Sequence, residues 1–388
     1  MDRREFIAVC QVLGLGLPFS SMLSACEKSV AQASTVGKVV IVGAGAAGLT
    51  AGYLLQQYGL EFQILEASPR VGGRMKHTTT FADFPISLGA EWIHVPPSIL
   101  KEIINDDSVP VQVGTTTYNP ETDYGLYNGV RISLRDVGFD GDSKFINSSW
   151  LGFFEHHVVP SVQSAIIHNA VVDTVDYSAD VVHVHTQERT YSADRAIVTV
   201  PVKMLQNEAI TFIPALPESK QEAISKVKVW DGCKAFIEFS ERFYPAFVGV
   251  EVEPGSDGQK LYYDASYGQD TRQHILGLFA VGSETRPYVE LSDGALIDYI
   301  LHELDALFDG RASATYVKHL FQNWNEEPYA RGAYVVDREN WSVLRTLGKR
   351  VGDRLFFAGD AYTNGSSWSS VDTAARSASR AVRDILRS

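Results

Sequence analysis

The sequence predicts an α/β fold built on a Rossmann-like dinucleotide-binding unit, with a second, α+β region interleaved into it. Three observations carry this expectation. A short β-branched run, Lys38 to Val42, leads directly into Gly43-Ala44-Gly45-Ala46-Ala47-Gly48 and then into a segment with helical patterning, Leu49 to Tyr58. A second short strand, Glu61 to Leu65, ends in an acid, Glu66, placed about 20 residues beyond the first glycine as a ribose-binding carboxylate would be. Far along the chain, Arg354 to Ala358 reads as another buried strand, followed by Gly359-Asp360 and a closing helix, Thr373 to Leu386.

The first 26 residues read as an address rather than as part of the fold. Arg3-Arg4-Glu5-Phe6 is a twin-arginine start, and Cys10 to Leu23 is uncharged and apolar. Leu23-Ser24-Ala25-Cys26 matches a lipoprotein cleavage box, which would make Cys26 the lipidated first residue of the mature chain; an ordinary cleaved signal is the alternative. Twin-arginine export carries folded proteins, so the expected location is the bacterial periplasm or cell envelope. Any membrane contact would run through a lipid on Cys26. Residues 27–37 are small and polar, a tether, and the body starts at Lys38.

The body of this 388-residue chain has ordinary globular composition, 45% hydrophobic and 21% charged. Its net charge of −13 argues against a nucleic-acid partner and would concentrate cationic small molecules near the surface. After the leader no apolar run approaches the ~18 residues of a membrane span. Cys233 is the one cysteine of the body, which excludes an intrachain disulfide there and suggests a small buried residue.

Between the two ends, Val181 to Thr186 alternates as a strand, and Arg195 to Val200 is a buried strand stopped by Pro201. Residues 217–228 look helical, 234–239 and 274–281 look like strands, and Leu291 to Phe308 is a long amphipathic helix. There is no internal repeat.

At the nucleotide site, Gly43 permits the tight turn, Gly45 lets the backbone approach a pyrophosphate, and Gly48 allows close packing of helix on strand. Ala46 and Ala47 open a helix whose N-terminus faces the phosphates. The continuation Glu66-Ala67-Ser68-Pro69-Arg70-Val71-Gly72-Gly73-Arg74 has no role in a simple NAD domain. It resembles the extended flavin fingerprint of the flavin amine oxidase family, the monoamine and polyamine oxidase type of FAD-dependent oxidoreductase. That resemblance implies a two-dinucleotide-binding-domain architecture, with Glu66, Ala67, Arg70, Gly73 and Arg74 along the FAD.

Further stretches extend the resemblance over residues 38–386. Phe356 to Asp360 resembles the second flavin motif, so Gly359 and Asp360 would meet the ribityl chain. Val371, Asp372 and Ala374 would begin a helix whose N–H groups hold the flavin pyrimidine. Thr373-Ala374 stands where the family has Gly-Ala, and Ser377-Ala378 where it has Ser-Gly. Val172 would meet the adenine through its backbone. A G-G-M stretch is replaced by Phe153 to Val162. The implied division is an FAD-binding domain of 38–95, 160–205 and 345–388, and a substrate domain of 96–159 and 206–344.

For the reaction, Leu88-Gly89-Ala90-Glu91-Trp92-Ile93-His94 resembles the motif beneath the flavin, in a form closest to polyamine oxidases. Gly89, Ala90, Glu91 and Trp92 would then touch cofactor, and His94 and Glu91 would contact a cationic amine; a satisfied loop histidine and a structural acid are the alternatives. Lys234 opens an apolar strand and asks for a partner; the family places a lysine there that holds a water against flavin N5. Trp324 and Tyr334 resemble the stretch bearing one wall of an aromatic cage. Ala333 replaces the cysteine of covalently flavinylated relatives, so FAD should be noncovalent. The second wall falls on Ser370, with Trp368 nearby as a substitute or as core. A substrate region between Ile99 and Phe154 shorter than is typical of the family implies a more open site. The expected activity is FAD-dependent oxidation of a polyamine or another primary or secondary amine to an imine, with hydride transfer to flavin N5, hydrolysis, and oxygen or another electron acceptor. The rivals are an L-amino acid oxidase, a desaturase-type flavoenzyme, and a non-catalytic flavin-binding envelope protein.

Overall fold

The computed structural model describes residues 36–118, 124–128, 132–134, 142–252, 256–336, 340–364 and 369–388. The leader with Cys26, most of the tether, and Trp368 therefore lie outside the described residues. Among the described residues, no helix is long and apolar enough to cross a membrane.

A five-stranded, wholly parallel sheet forms the nucleotide-binding half, in the order Leu355–Phe357, Arg195–Val198, Val39–Val42, Phe62–Leu65, Ile166–Ile167. Its strands are short and its central ones buried, one face under helices and the other under Val172, Val175, Val182 and Val184 of a neighbouring sheet. The helix Ala46–Gln57 and the final helix Val371–Arg387 pack on one another, and Ile41, Leu49, Leu55, Ile64, Ile197, Phe356, Ala378 and Val382 share their core. The final helix starts two residues before the expected Thr373, because Ser370 caps it: Ser370 Oγ accepts from the Thr373 N–H at 3.2 Å. The strand from Arg195 ends at Val198, two residues earlier than expected. There the Thr199 N–H (3.0 Å) and hydroxyl (2.8 Å) both donate to the Val42 carbonyl, and Pro201 follows with no N–H to carry the ladder on.

The second half is a seven-stranded mixed sheet in the order Tyr316–Asn323, Gly232–Phe239, His274–Gly282, Gly258–Asp264, Phe247–Val250, Tyr124–Tyr127, Ile132–Leu134. One face carries Ala235, Ile237, Leu276, Leu278 and Ala280 against Leu296, Ile300 and Leu304 of the helix Asp293–Leu307. The opposite face carries Lys234, Phe236, Phe279, Leu261, Tyr263 and Phe247, and belongs to the cavity and a separate aromatic core. A third sheet, of Thr190–Ala193, Val182–Thr186, Val172–Asp176 and Thr211–Ile213, stands beside the parallel one.

The structure departs from the division drawn on the sequence: Ile210, Leu216, Ala223, Ile224 and Val227, assigned to the substrate domain, share a core with Val40, Val42, Leu355 and Phe357 of the parallel sheet. Ile99–Ile104 and Trp150–His157 fall in the segment assigned to the substrate domain, yet Ile99, Ile103, Trp150, Phe153 and Phe154 are buried in the nucleotide-half core. Both are amphipathic helices, and the apolar face they offer is taken up by the helices over the parallel sheet. Elsewhere, Lys220 is 3% exposed and donates to the carbonyls of Leu347 (2.6 Å) and Thr346 (3.1 Å) at the end of the helix Trp341–Gly348. Burial pushes its ammonium down to about 7.

Candidate active site

A single continuous cavity of about 1330 Å³ runs between the two halves. Ordinary small-molecule pockets hold about 300–1,000 Å³. One end is lined by Gly43, Gly45, Ala46, Ala47, Glu66, Ala67, Arg70 and Val172, the middle by Gly73, Arg74, Gly89, Ala90, Trp92, Trp324, Gly359, Asp360, Val371, Asp372 and Ala374, and the far end by the second sheet.

At the nucleotide end the glycines differ in what surrounds them. A Cβ on Gly48 would stand 1.9 Å from the Gly43 carbonyl oxygen, so only glycine lets the helix sit on the turn. A Cβ on Gly45 would meet nothing within 4 Å and would project into the cavity. The helix beginning at Ala46 has no side-chain cap and no acid in its first turn, which leaves its N–H groups and dipole for an anion. Glu66 is 7% exposed; one oxygen accepts from the Ala44 N–H (2.6 Å) and the other from the Ser68 N–H (2.8 Å). Burial raises its pKa, and each oxygen retains a lone pair for a ribose hydroxyl.

The middle of the cavity is fixed by hydrogen bonds that join distant segments. Arg74 grips Asp360 through both carboxylate oxygens (2.5 and 3.0 Å) and donates to the Ala333 carbonyl at 2.5 Å. Arg70 donates to the Gly73 carbonyl at 3.0 Å. Ser377 Oγ accepts from the Gly359 N–H at 2.7 Å and donates to the Ala374 carbonyl at 2.7 Å, pinning the turn before Asp360 to the final helix. Trp324 Nε1 donates to the Leu88 carbonyl at 2.8 Å, so its ring lies along Gly89, where a Cβ would come within 2.7 Å of it.

At the far end, Lys234 is 4% exposed and reaches Glu91 Oε2 at 2.8 Å and the Ser87 carbonyl at 3.1 Å. Glu91 is also paired with a second buried lysine, Lys144, at 3.2 Å, and accepts from the Tyr263 hydroxyl at 2.5 Å. Burial alone would raise its carboxyl, but Lys234, Lys144 and Tyr263 bring it down to about 2. Its oxygens are thus committed within the protein rather than presented to an amine. Nothing in Ser143-Lys144-Phe145 marks Lys144 in the sequence. Tyr334 lies edge-on to Trp230 at 5.7 Å between ring centroids and lines the cavity, as does Ser370, whose hydroxyl is taken up in capping. His94 is half exposed and pairs with Asp142 at 3.1 Å, and both line the cavity. Cys233 is buried, which pushes its thiol up to about 12.

The floor beyond Lys234 was not legible in advance. Lys234 is the cross-strand partner of Phe279, Phe279 of Leu261, and Leu261 of Gly249, all four lining the cavity. Three strand spacings of about 4.8 Å make this row about 14 Å long. Phe247 and Val281 flank it. Among the described residues every acid lining the cavity is engaged elsewhere: Glu66 and Glu91 as above, Asp142 by His94, Glu327 by Lys76, Asp360 by Arg74, and Asp372 by Ser370.

An extended dinucleotide suits these features: an open cradle at Gly45 on a free helix N-terminus, a buried carboxylate at the ribose position, and a cavity long enough to reach the second sheet. Comparison with known proteins agrees. The model of the flavin containing amine oxidoreductase family matches residues 160–386, and that of the NAD(P)-binding Rossmann-like domain matches residues 41–106. Polyamine oxidase 3 of Oryza sativa subsp. japonica is 23% identical, over 87% of this chain and 87% of that protein. Human lysine-specific histone demethylase 2 is 24% identical, over 83% of this chain and 50% of that one. In fold, the chain is similar to putrescine oxidase bound to putrescine (TM-score 0.73, 16% identity, 91% of this chain and 99% of that one). It is also similar to cyclohexylamine oxidase from Brevibacterium oxydans (TM-score 0.74, 14% identity, 90% of this chain and 99% of that one).

Proposed function

The chain belongs to the flavin containing amine oxidoreductase family, and from that premise we propose that it oxidises a primary or secondary amine whose single cationic nitrogen is attached to an apolar body. It is an FAD-dependent oxidoreductase, and the cofactor is held without a covalent bond. The observation that carries the substrate reading is the row Lys234, Phe279, Leu261, Gly249. An aryl, cycloalkyl or alkyl group lying on that floor is desolvated favourably. A second ammonium there would be buried opposite phenyl and isobutyl groups, with each described acid of the cavity already paired, and that is costly. A polyamine, the other substrate the sequence suggests, fits this floor less well.

When bound, FAD supplies the two-electron acceptor that takes hydride from the carbon next to the amine nitrogen, leaving an imine for hydrolysis. The chain's own groups do the rest. Gly45 and the helix N-terminus receive the pyrophosphate, Glu66 the ribose, and Asp360, oriented by Arg74, a hydroxyl of the linking chain. Arg70, Gly73, Ala90 and Ala374 border that path. Tyr334 and Trp324 give electron-rich walls that attract and align an amine. Lys234 holds a water or a proton beside the reacting nitrogen, which must be uncharged to give up hydride. Half-exposed His94, paired with Asp142, would contact the incoming ammonium. Oxygen or another acceptor completes the cycle. The leader supports export to the cell envelope with a lipid on Cys26.

The test is a matched-length series read as kcat/KM. Hexylamine and phenethylamine should exceed 1,6-diaminohexane and spermidine by at least about tenfold, ~1.4 kcal/mol. Leu261→Glu should narrow or reverse that preference. A wild-type protein that favours spermidine overturns the substrate class.

A further inference from the structure

Glu91 is one carboxylate between two buried ammonium groups, Lys144 on Oε1 and Lys234 on Oε2. One negative charge offsets only one of them, so which lysine keeps its proton decides the charge of the reaction centre. The surroundings are unequal. Lys144 Nζ pairs with Glu91 at 3.2 Å and donates to the carbonyls of Ala265 (3.2 Å) and Asp264 (3.3 Å), which uses all three of its N–H bonds. It also stands 5.1 Å from the Trp92 ring centroid and 5.8 Å from Tyr118, π-faces that suit a cation, while Tyr263 lies 5.5 Å from both lysines and Phe236 5.6 Å from Lys234. Lys234 donates to two acceptors, Glu91 and the Ser87 carbonyl, and lines the cavity.

We propose that Lys144 is a positioning residue: it is the permanent counter-ion of Glu91, and so frees Lys234 to exchange its proton with the substrate amine. Lys234 in its neutral form takes a proton from the substrate ammonium; the N–H electron pair stays on the substrate nitrogen, which becomes the free amine, and Lys234 becomes the ammonium. Glu91 stays ionised throughout because Lys144 never leaves it. With Lys144 absent, Glu91 would rely on Lys234 alone and hold it protonated. Burial lowers the proton affinity of Lys234 most, Glu91 opposes this, and Lys144 adds to the lowering. The titratable groups bearing on the pair are Glu91, Lys144 and Tyr263, with Tyr118 and Asp264 behind Lys144. The sheet neighbours of Lys234, Phe279 and Gln322, do not titrate.

This inference rests on the amine oxidase reading, but its first test needs no substrate. The Nζ resonance of Lys234 is titrated in holoenzyme labelled with ¹⁵N-lysine and assigned with Lys234→Met. Lys144→Met should raise the Lys234 midpoint by at least one pH unit, a tenfold gain in proton affinity. Lys144→Arg should restore it, and Glu91→Gln should move it down. The rising limb of the pH profile for amine-dependent flavin reduction should follow the same order. A folded Lys144→Met protein with an unmoved Lys234 midpoint overturns the proposal. If Lys144→Met does not fold, Glu91→Gln decides: a midpoint that stays or rises overturns it. A protein that gives these titrations but reduces no flavin with any amine refutes the amine oxidase reading instead.

Discussion

Gly45 and Gly48 lie three residues apart in one turn, yet methyl groups added to them should have opposite effects. At Gly48 the new Cβ would sit 1.9 Å from the Gly43 carbonyl oxygen, a backbone atom that cannot step aside without breaking the turn. Gly48→Ala should therefore cost at least the ~1–3 kcal/mol of an overpacked site and lower apo-protein stability accordingly. At Gly45 the backbone is extended (φ −78°, ψ −172°), a conformation open to any residue, and the Cβ meets nothing within 4 Å. Gly45→Ala should leave the apo protein as stable as wild type, or more so by roughly 0.4–1 kcal/mol through a stiffer unfolded chain. The methyl would instead occupy the space where the pyrophosphate approaches the backbone. The same ~1–3 kcal/mol, charged now against binding, weakens FAD by about 5- to 150-fold. Thermal unfolding of both apo variants and FAD titration by quenching of flavin fluorescence would measure the two effects. Wild-type FAD affinity in Gly45→Ala, or equal destabilisation of both apo variants, would refute the placement of the dinucleotide.

Other consequences follow from the buried charges and the leader. Glu91 titrates near 2 in the folded protein against an ordinary value of 4.5, so its ionisation contributes stability that is present above pH 4.5 and lost as pH falls towards 2, on the order of 3 kcal/mol. The stability gap between wild type and Glu91→Gln should shrink across that window, and a constant gap in chemical denaturation would contradict the assignment. Lys220 gives up its proton at about 7 when folded but at 10.5 when unfolded. Unfolding therefore takes up a proton between those values, and stability should rise with pH through that window by on the order of 5 kcal/mol. Lys220→Met should flatten the rise; an unchanged slope would show that Lys220 stays protonated. In cells, Cys26→Ser should move the protein from the membrane fraction to the soluble envelope fraction, and an unaltered distribution would mean that Cys26 carries no lipid.

The nucleotide half was legible because its signals are local. A glycine that no Cβ can replace, a strand buried on both faces and an acid ending the next strand each appear within a few residues. Ser370 was half legible: it lines the cavity where counting back from the helix put it, but its second role, the N-cap that a serine before a helical run commonly plays, was not read. The second sheet was half legible. Its strands Gly232–Phe239 and His274–Gly282 are apolar enough to stand out, but Gly258–Asp264 and Tyr316–Asn323 mix Gln, Lys, Tyr and His and carry no clean alternation. Since the floor of the cavity is a row of cross-strand partners, missing one strand hides the row. Lys144 was invisible for a related reason. A lysine in a three-residue strand reads as solvated until Trp92, Tyr118, Tyr263 and Glu91, drawn from across the sequence, close around it.

An amine lying on the apolar floor is expected to reduce the flavin beside Lys234. Anaerobic mixing of the purified, FAD-loaded protein with hexylamine or phenethylamine, followed by flavin absorbance, tests it most directly. The oxidised flavin bands should bleach with saturating dependence on amine, and Lys234→Met should slow the bleaching while leaving FAD bound. Flavin that stays oxidised with monoamines, diamines and polyamines alike would mean that no amine is the electron donor, whatever else the fold can bind.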